Sequence, residues 1–214
     1  MKQKTIKKEI CFSGVALQTG KEVNVTCKRA ECDEGIIFIR EDLPGSNALK
    51  IKEAIFSSEN ERRSTIGFGK EGVQTVEHFL AALWALEVDN LIIKVDSEEL
   101  PGLDGSSAKF FDIINSAGIC EQEKERKMII IDEEIIIEEE GKRIQIKPSD
   151  KFEVSYTIDY NIDCVTSETV NLTIDKEVFR KEIAPARTFC LKAEAEALLK
   201  AGLGKGANYE NTLV

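Results

Sequence analysis

In "KEVNVTCKRA" (Lys21–Ala30) an apolar side chain recurs at every second position, at Val23, Val25 and Cys27. A strand turns alternate side chains to opposite faces, so this spacing fits a half-buried strand and not a helix. "GIIFIR" and "NALKIKEAIF" read as further strands. The period then changes. In "TVEHFLAALWAL" (Thr75–Leu86) the residues Val76, Phe79, Leu80, Leu83 and Trp84 fall at i, i+3, i+4, i+7 and i+8. That is the buried stripe of an amphipathic helix, with Thr75 placed to cap it. "DNLIIKVD" returns to a strand, and "PGLDGSSAKFFDIINSAG" reads as a turn, a capped helix from about Ser106 and a stop at Gly118.

The charged run "EQEKERK" (Glu121–Lys127) reads as a boundary. Beyond it "MIIID", "EIIIEEE", "KRIQIKPSD", "KFEVSYTIDYN" and "ETVNLTI" read as five strands, followed by a helix in "KAEAEALLKAG" that stops at Gly202 or the following "GKG". Both halves therefore run strands first and helices later. This order predicts an α+β fold of two similar domains, each a mostly antiparallel sheet layered against helices: residues 1–124, carrying the Glu77–His78 helix, and residues 125–214. One helix is thin cover for five strands, and the last residues, "NYENTLV", start as an apolar strand would. The second domain is thus expected to be incomplete, and to associate through its uncovered face.

Hydrophobic residues at 42% and charged ones at 32% exclude a membrane-embedded and a disordered chain. A net charge of −10 argues against nucleic acid or an anionic membrane surface as partner. It leaves room for a small phosphorylated ligand, which needs only a local cluster of donors. No apolar run has the length of a signal-peptide core or a spanning helix, so no stable membrane insertion and a cytoplasmic location are expected. The cysteines Cys11, Cys27, Cys32, Cys120, Cys164 and Cys190 show no CxxC pair, which fits buried, reduced thiols.

His78 is the single histidine. At the start of a helix, Glu77 and His78 point about 100° apart around the axis and both reach one site beside the positive end of the dipole. Glu77 there can deprotonate a water while His78 ligates a metal. A solvent-facing first turn, with Glu77 only complementing the dipole, is the simpler account of the pair taken alone, since V-E-H lacks the second ligand of H-E-x-x-H. "PGLDGSSAKFF" is explained as a turn into a helix. "PARTFC" sets Thr188 beside Phe189, either in a sugar pocket or in an ordinary strand. "GLGKGANYEN" is either a phosphate-holding loop or a helix stop, and is not a Walker A sequence.

Taken in order, "SGVALQTGKEV", "ERRSTIG", "TVEHFLAAL", "EVDNLIIKVDSEELPGLDGSSAKFFDII", "PARTF" and "AGLGKGANYENTLV" resemble the UDP-3-O-acyl-N-acetylglucosamine deacetylase family, from the first residues to the last. The resemblance implies a zinc-dependent hydrolase of lipid A biosynthesis, with its site between two α+β domains. It releases acetate from a UDP-sugar lipid precursor. It implies Glu77 as general base, His78 as first zinc ligand, and Thr188 as the residue that polarises the substrate carbonyl. Phe189 would lie near the glucosamine ring, and Tyr160 and Asn161 near the uridine. Three departures stand out. Leu17-Gln18-Thr19-Gly20 replaces the family's L-H-T-G, Gly206-Ala207-Asn208 replaces G-G-S, and the H-K-x-x-D motif with the remaining zinc ligands is absent. These 214 residues alone are therefore expected to be inactive. A protein of another class, binding a nucleotide sugar or a protein partner without zinc, is the alternative.

Overall fold

The computed structural model describes residues 1–214 apart from 46, 54–62, 68 and 161–165. The fold is α+β, and the chain divides into two compact units, Met1–Arg126 with Glu182–Val214, and Lys127–Lys181. Residues 182–214 thus group with the first unit.

In chain order the first unit contains strands β1 (Lys2–Ile6), β2 (Ile10–Val15), β3 (Glu22–Arg29), β4 (Ile36–Arg40), β5 (Leu49–Lys50), β6 (Thr65–Ile66) and β7 (Val73–Gln74). Helix α1 (Glu77–Ala85), strand β8 (Leu91–Val95), helix α2 (Ala108–Ser116) and strand β9 (Ile119–Glu125) follow. Strands β2-β3-β8-β4-β5 form one five-stranded sheet, in which only β4 and β8 run parallel. The alternation in β3 is realised: Val23, Val25 and Cys27 are all buried. Register aligns Phe12, Val25 and Val95 in one row across the sheet, and Cys27, Ile93 and Phe38 in another. These side chains share one face, and α1 and α2 cover it. Phe79 of α1 meets Phe12, Phe38 and Phe110 at centroid distances of 6.3, 6.3 and 5.5 Å, the last edge-to-face at 85°. Such edge contacts add to the area buried by aromatic rings.

Helix α1 presents a stripe of Phe79, Ala82, Leu83 and Leu86, all buried. Leu80 is half-buried and Trp84 is 48% exposed, so the expected inward position of Trp84 is corrected. Each residue turns the helix by about 100°, and centring the stripe on Phe79 and Leu83 carries Trp84 to its rim. The cap also differs. Val76 is the N-cap residue and makes no side-chain cap bond, while Thr75 has a positive φ of 57° and sends its hydroxyl to Glu99 instead. Helix α2 starts two residues after Ser106, whose hydroxyl oxygen accepts the Ala108 N–H at 3.1 Å, and it stops at Gly118 with φ 71°.

The charged run expected as a boundary is largely strand β9, paired antiparallel with β1. Its one buried residue is polar: Gln122 accepts from Asn90 and donates to the Ala30 carbonyl. Apolar periodicity therefore could not reveal it. Of the five described cysteines only Cys27 is buried; Cys11 is exposed and the others are intermediate. The remainder of the expected strand "NALKIKEAIF" lies partly outside the described residues, and its described part holds only β5 and a 3₁₀ turn.

The second unit holds β10 (Ile135–Glu139), β11 (Lys142–Ile146), β12 (Glu153–Ile158), β13 (Glu168–Thr173) and the short helix α3 (Lys176–Val178). The strands pair two by two, β10 with β11 and β12 with β13. "MIIID" forms no strand, and Ile129 and Ile130 are exposed. Register puts Ile135, Ile137, Ile144 and Ile146 on one face of the first hairpin, and all four are exposed.

The last helix, α4 (Lys192–Lys200), belongs to the first unit. Among the described residues no helix is long and apolar enough to cross a membrane. The burial pattern of α1 makes a quantitative claim. Leu83→Ala is expected to lower the unfolding free energy by about 2–5 kcal/mol in urea titrations, and Trp84→Ala by clearly less. An equal or larger loss at Trp84 would contradict the assigned face.

Candidate functional site

Glu77 is the first residue of α1 and His78 the second. Both are half-buried. The Glu77 carboxylate accepts the Ser64 N–H at 3.1 Å, and its place in the first turn complements the helix dipole. Burial lowers the His78 imidazole below the ordinary histidine range, while the negative charges of Glu77 and Asp104 oppose that shift. Asp104, from the turn before α2, therefore lies within electrostatic reach of His78. The local sequence offers Asp104 only as a capping residue, and its carboxylate does accept the Ser106 N–H at 3.2 Å.

The next residue, Gly105, ties a distant segment to this point. Its carbonyl accepts the Thr188 N–H at 2.8 Å, and the Ala184 carbonyl accepts the Ala108 N–H at 3.0 Å. A Cβ on Gly105 would stand 1.7 Å from the Asn211 carbonyl oxygen, so only glycine lets the two backbones meet here. Thr188 in turn accepts from the Leu213 N–H at 3.0 Å. Glu77, His78, Thr188 and Phe189 thus all belong to the first unit. Tyr160 lies in the second unit and is 39% exposed, and Asn161 lies outside the described residues.

Beside Thr188 opens a cavity of about 350 Å³, lined by Leu17, Gln18, Thr188, Phe189, Leu198 and Leu199 among others. Its lining is mainly apolar. One wall is the Leu17–Gly20 loop, whose Leu17 and Gln18 carbonyls accept the Gly206 and Lys205 N–H groups at 3.0 and 3.2 Å. Gln18 receives the Gly204 N–H on its side-chain oxygen at 3.1 Å. The glycine-rich loop is thereby spent on backbone latching. The sequence reading missed Glu99, which is fully buried and accepts from Gln18, Thr19 and Thr75. A carboxylate in "SEELPG" carries no signal that it points inward.

A catalytic zinc takes three protein ligands and keeps one position open. The described residues contain no group of three His, Cys, Asp or Glu side chains able to hold a metal. His78 is the one recognisable ligand, and alone it does not fit such a centre.

Comparison with known proteins bears on this arrangement. The sequence model of a family described as UDP-3-O-acyl N-acetylglycosamine deacetylase matches residues 3–214. Proteins named UDP-3-O-acyl-N-acetylglucosamine deacetylase are similar along nearly the whole chain. The one from Bdellovibrio bacteriovorus is 36% identical over 212 residues, 99% of this chain and 70% of the relative. That from Syntrophotalea carbinolica is 37% identical over 214 residues, covering 99% and 68%, and that from an Anaeromyxobacter species 34% over 216 residues, covering 99% and 69%.

The depressed His78 pKa has a definite sign. The folded state binds this proton less well than the unfolded chain, so the associated stability is present in full above the unfolded value of about 6.5 and is lost as the pH falls toward the folded one. NMR titration of the single imidazole is expected to give a midpoint below about 6.5, and His78→Gln to flatten the acid-side loss of stability. A midpoint at or above that value would refute the assignment.

Proposed function

The chain belongs to the UDP-3-O-acyl N-acetylglycosamine deacetylase family, and on that premise we propose that its site serves hydrolysis of the acetamide of UDP-3-O-acyl-N-acetylglucosamine in the cytoplasm, releasing acetate. The observation that carries this reading is the convergence at residues 104–105: the Asp104 charge reaches His78, and the Gly105 carbonyl holds Thr188. Residues far apart in sequence are thus linked through one turn, which supports assigning them to one site.

In this proposal Glu77 takes the proton of the attacking water, as a carboxylate at a helix start is suited to do. The Thr188 hydroxyl donates to the substrate carbonyl as negative charge develops there. Phe189 stacks near the glucosamine ring, and the acyl chain occupies the apolar cavity alongside, which its lining of Leu17, Leu198 and Leu199 supports. Tyr160 and Asn161 are assigned to the uridine end on the resemblance alone. The family's zinc is not accommodated by the described residues, so no step is assigned to it; His78 is its candidate ligand.

Ligand counting sets the experiment. Metal content and acetate release are measured for the 214-residue chain and for a fusion to the portion of the Bdellovibrio relative that it does not match. The chain alone is expected to hold little zinc and to release no acetate, and the fusion to gain both. In the fusion, Glu77→Gln should cost about 10²–10⁴-fold in turnover with zinc retained, while His78→Ala should weaken the metal itself. Robust acetate release by the chain alone would overturn the ligand count. A fusion that holds zinc and binds the UDP-sugar without hydrolysing it would instead identify a non-catalytic binder.

A further inference from the structure

Glu99 has no place in that chemistry, yet it is a carboxylate with 0% exposure. Such a group is tolerated inside a protein only when donors satisfy it. Both oxygens are engaged. Oε1 accepts the Gln18 N–H and the Thr75 hydroxyl, each at 2.9 Å. Oε2 accepts the Thr19 N–H at 2.9 Å and shares the Gln18 N–H at 3.1 Å.

These donors come from two segments with different duties. Gln18 and its neighbour Leu17 form a wall of the cavity, and Gln18 also holds Gly204 across it. Thr75 stands two residues before Glu77, at a positive φ of 57° that a β-branched residue seldom adopts. The backbone around it is pinned to the same strand segment, Gln74 N–H to the Glu98 carbonyl at 2.8 Å and Leu100 N–H to the Gln74 carbonyl at 3.1 Å. Neither an N-cap bond nor local propensity explains the conformation of Thr75, whereas the bond to Glu99 does.

We propose that Glu99 is a positioning residue that fixes the cavity wall and the start of the Glu77–His78 helix in one register through a single carboxylate. The proposal rests on the reading of the cavity as the acyl site and of α1 as the hydrolytic site. Charge and shape are both required. An amide in place of the carboxylate would set an NH₂ group against the Gln18 N–H or the Thr19 N–H, each at 2.9 Å; the Thr75 hydroxyl could turn and accept, but two donors cannot keep that distance, so the clamp would shift.

The test uses the 214-residue chain and two readouts at fixed pH. One is the position of the imidazole resonances of His78, which are unambiguous because the chain has one histidine. The other is the affinity for dodecanoate by calorimetry. Glu99→Gln is expected to move the His78 resonances and to weaken dodecanoate by about tenfold or more, with cooperative unfolding retained. Thr75→Val removes only the helix-side donor; it should move the His78 resonances and leave dodecanoate affinity within about twofold. Thr19→Pro, which removes a cavity-side N–H donor to Glu99, should do the reverse. Should Glu99→Gln fail to fold, the opposite responses of Thr75→Val and Thr19→Pro still decide the matter. Wild-type values of both readouts in Glu99→Gln, or the same response of both readouts to each one-sided variant, would overturn the proposal. Absence of dodecanoate binding by the unsubstituted chain would sink the acyl-site reading instead, and the His78 response to Glu99→Gln and Thr75→Val would then decide the clamp alone.

Discussion

The backbone of residues 182–214 lies directly on the backbone of two earlier segments, and the rest of the site depends on that approach. Gly105 meets Asn211, and Gly206 meets Ala16 so closely that a Cβ would stand 2.1 Å from its carbonyl oxygen. Main-chain hydrogen bonds do the holding, from Thr188 to Gly105 and from Gly206 to Leu17. Without a side chain between them, the segments are located by fixed amide geometry and not by adaptable rotamers. The cavity exists because α4 and the loop after it are brought against Leu17 and Gln18 in this way.

Beneath the site, the aromatic group of Phe12, Phe38, Phe79 and Phe110 joins the sheet to α1 and α2. Interiors packed to crystal-like density transmit displacement, so the position of Phe79 constrains that of Glu77 two residues earlier. Glu99 holds Thr75, just ahead of the same helix, by a hydrogen bond. One restraint is apolar and non-directional, and the other is polar and directional.

Much of the five-stranded sheet was legible in the sequence because its signal is periodic. Alternation in β3 and the apolar run in β8 reflect side chains that face one core. Helix α1 was legible in kind, but Trp84 shows the limit: a stripe read by counting apolar residues is wider than the face that a sheet can cover. β9 was illegible because its buried position is a glutamine bonded to Asn90 and Ala30, and polar networks have no hydrophobic period. For the candidate site, adjacency gave Glu77 and His78 at once, since both lie on one turn. Asp104 and Glu99 owe their relevance to tertiary hydrogen bonds and fields, which no local pattern encodes. The ordered set of motifs spans the segments involved, which is why resemblance could name Thr188 when periodicity could not.

The pairing of β1 with β9, and of the Leu17–Gly20 loop with Lys205 and Gly206, also orders events during synthesis. Ribosomes add about 5–20 residues per second, so Leu17 waits on the order of ten seconds for Gly206 to be made. Throughout that interval the nascent chain carries the loop's carbonyls open to other strands, and its earliest strand has no mate until residues 119–125 emerge. Non-local closure of this kind slows folding. The unit that carries the site can therefore be sealed only after residues 205–206 emerge, and the interval before sealing is when chaperones have most to protect.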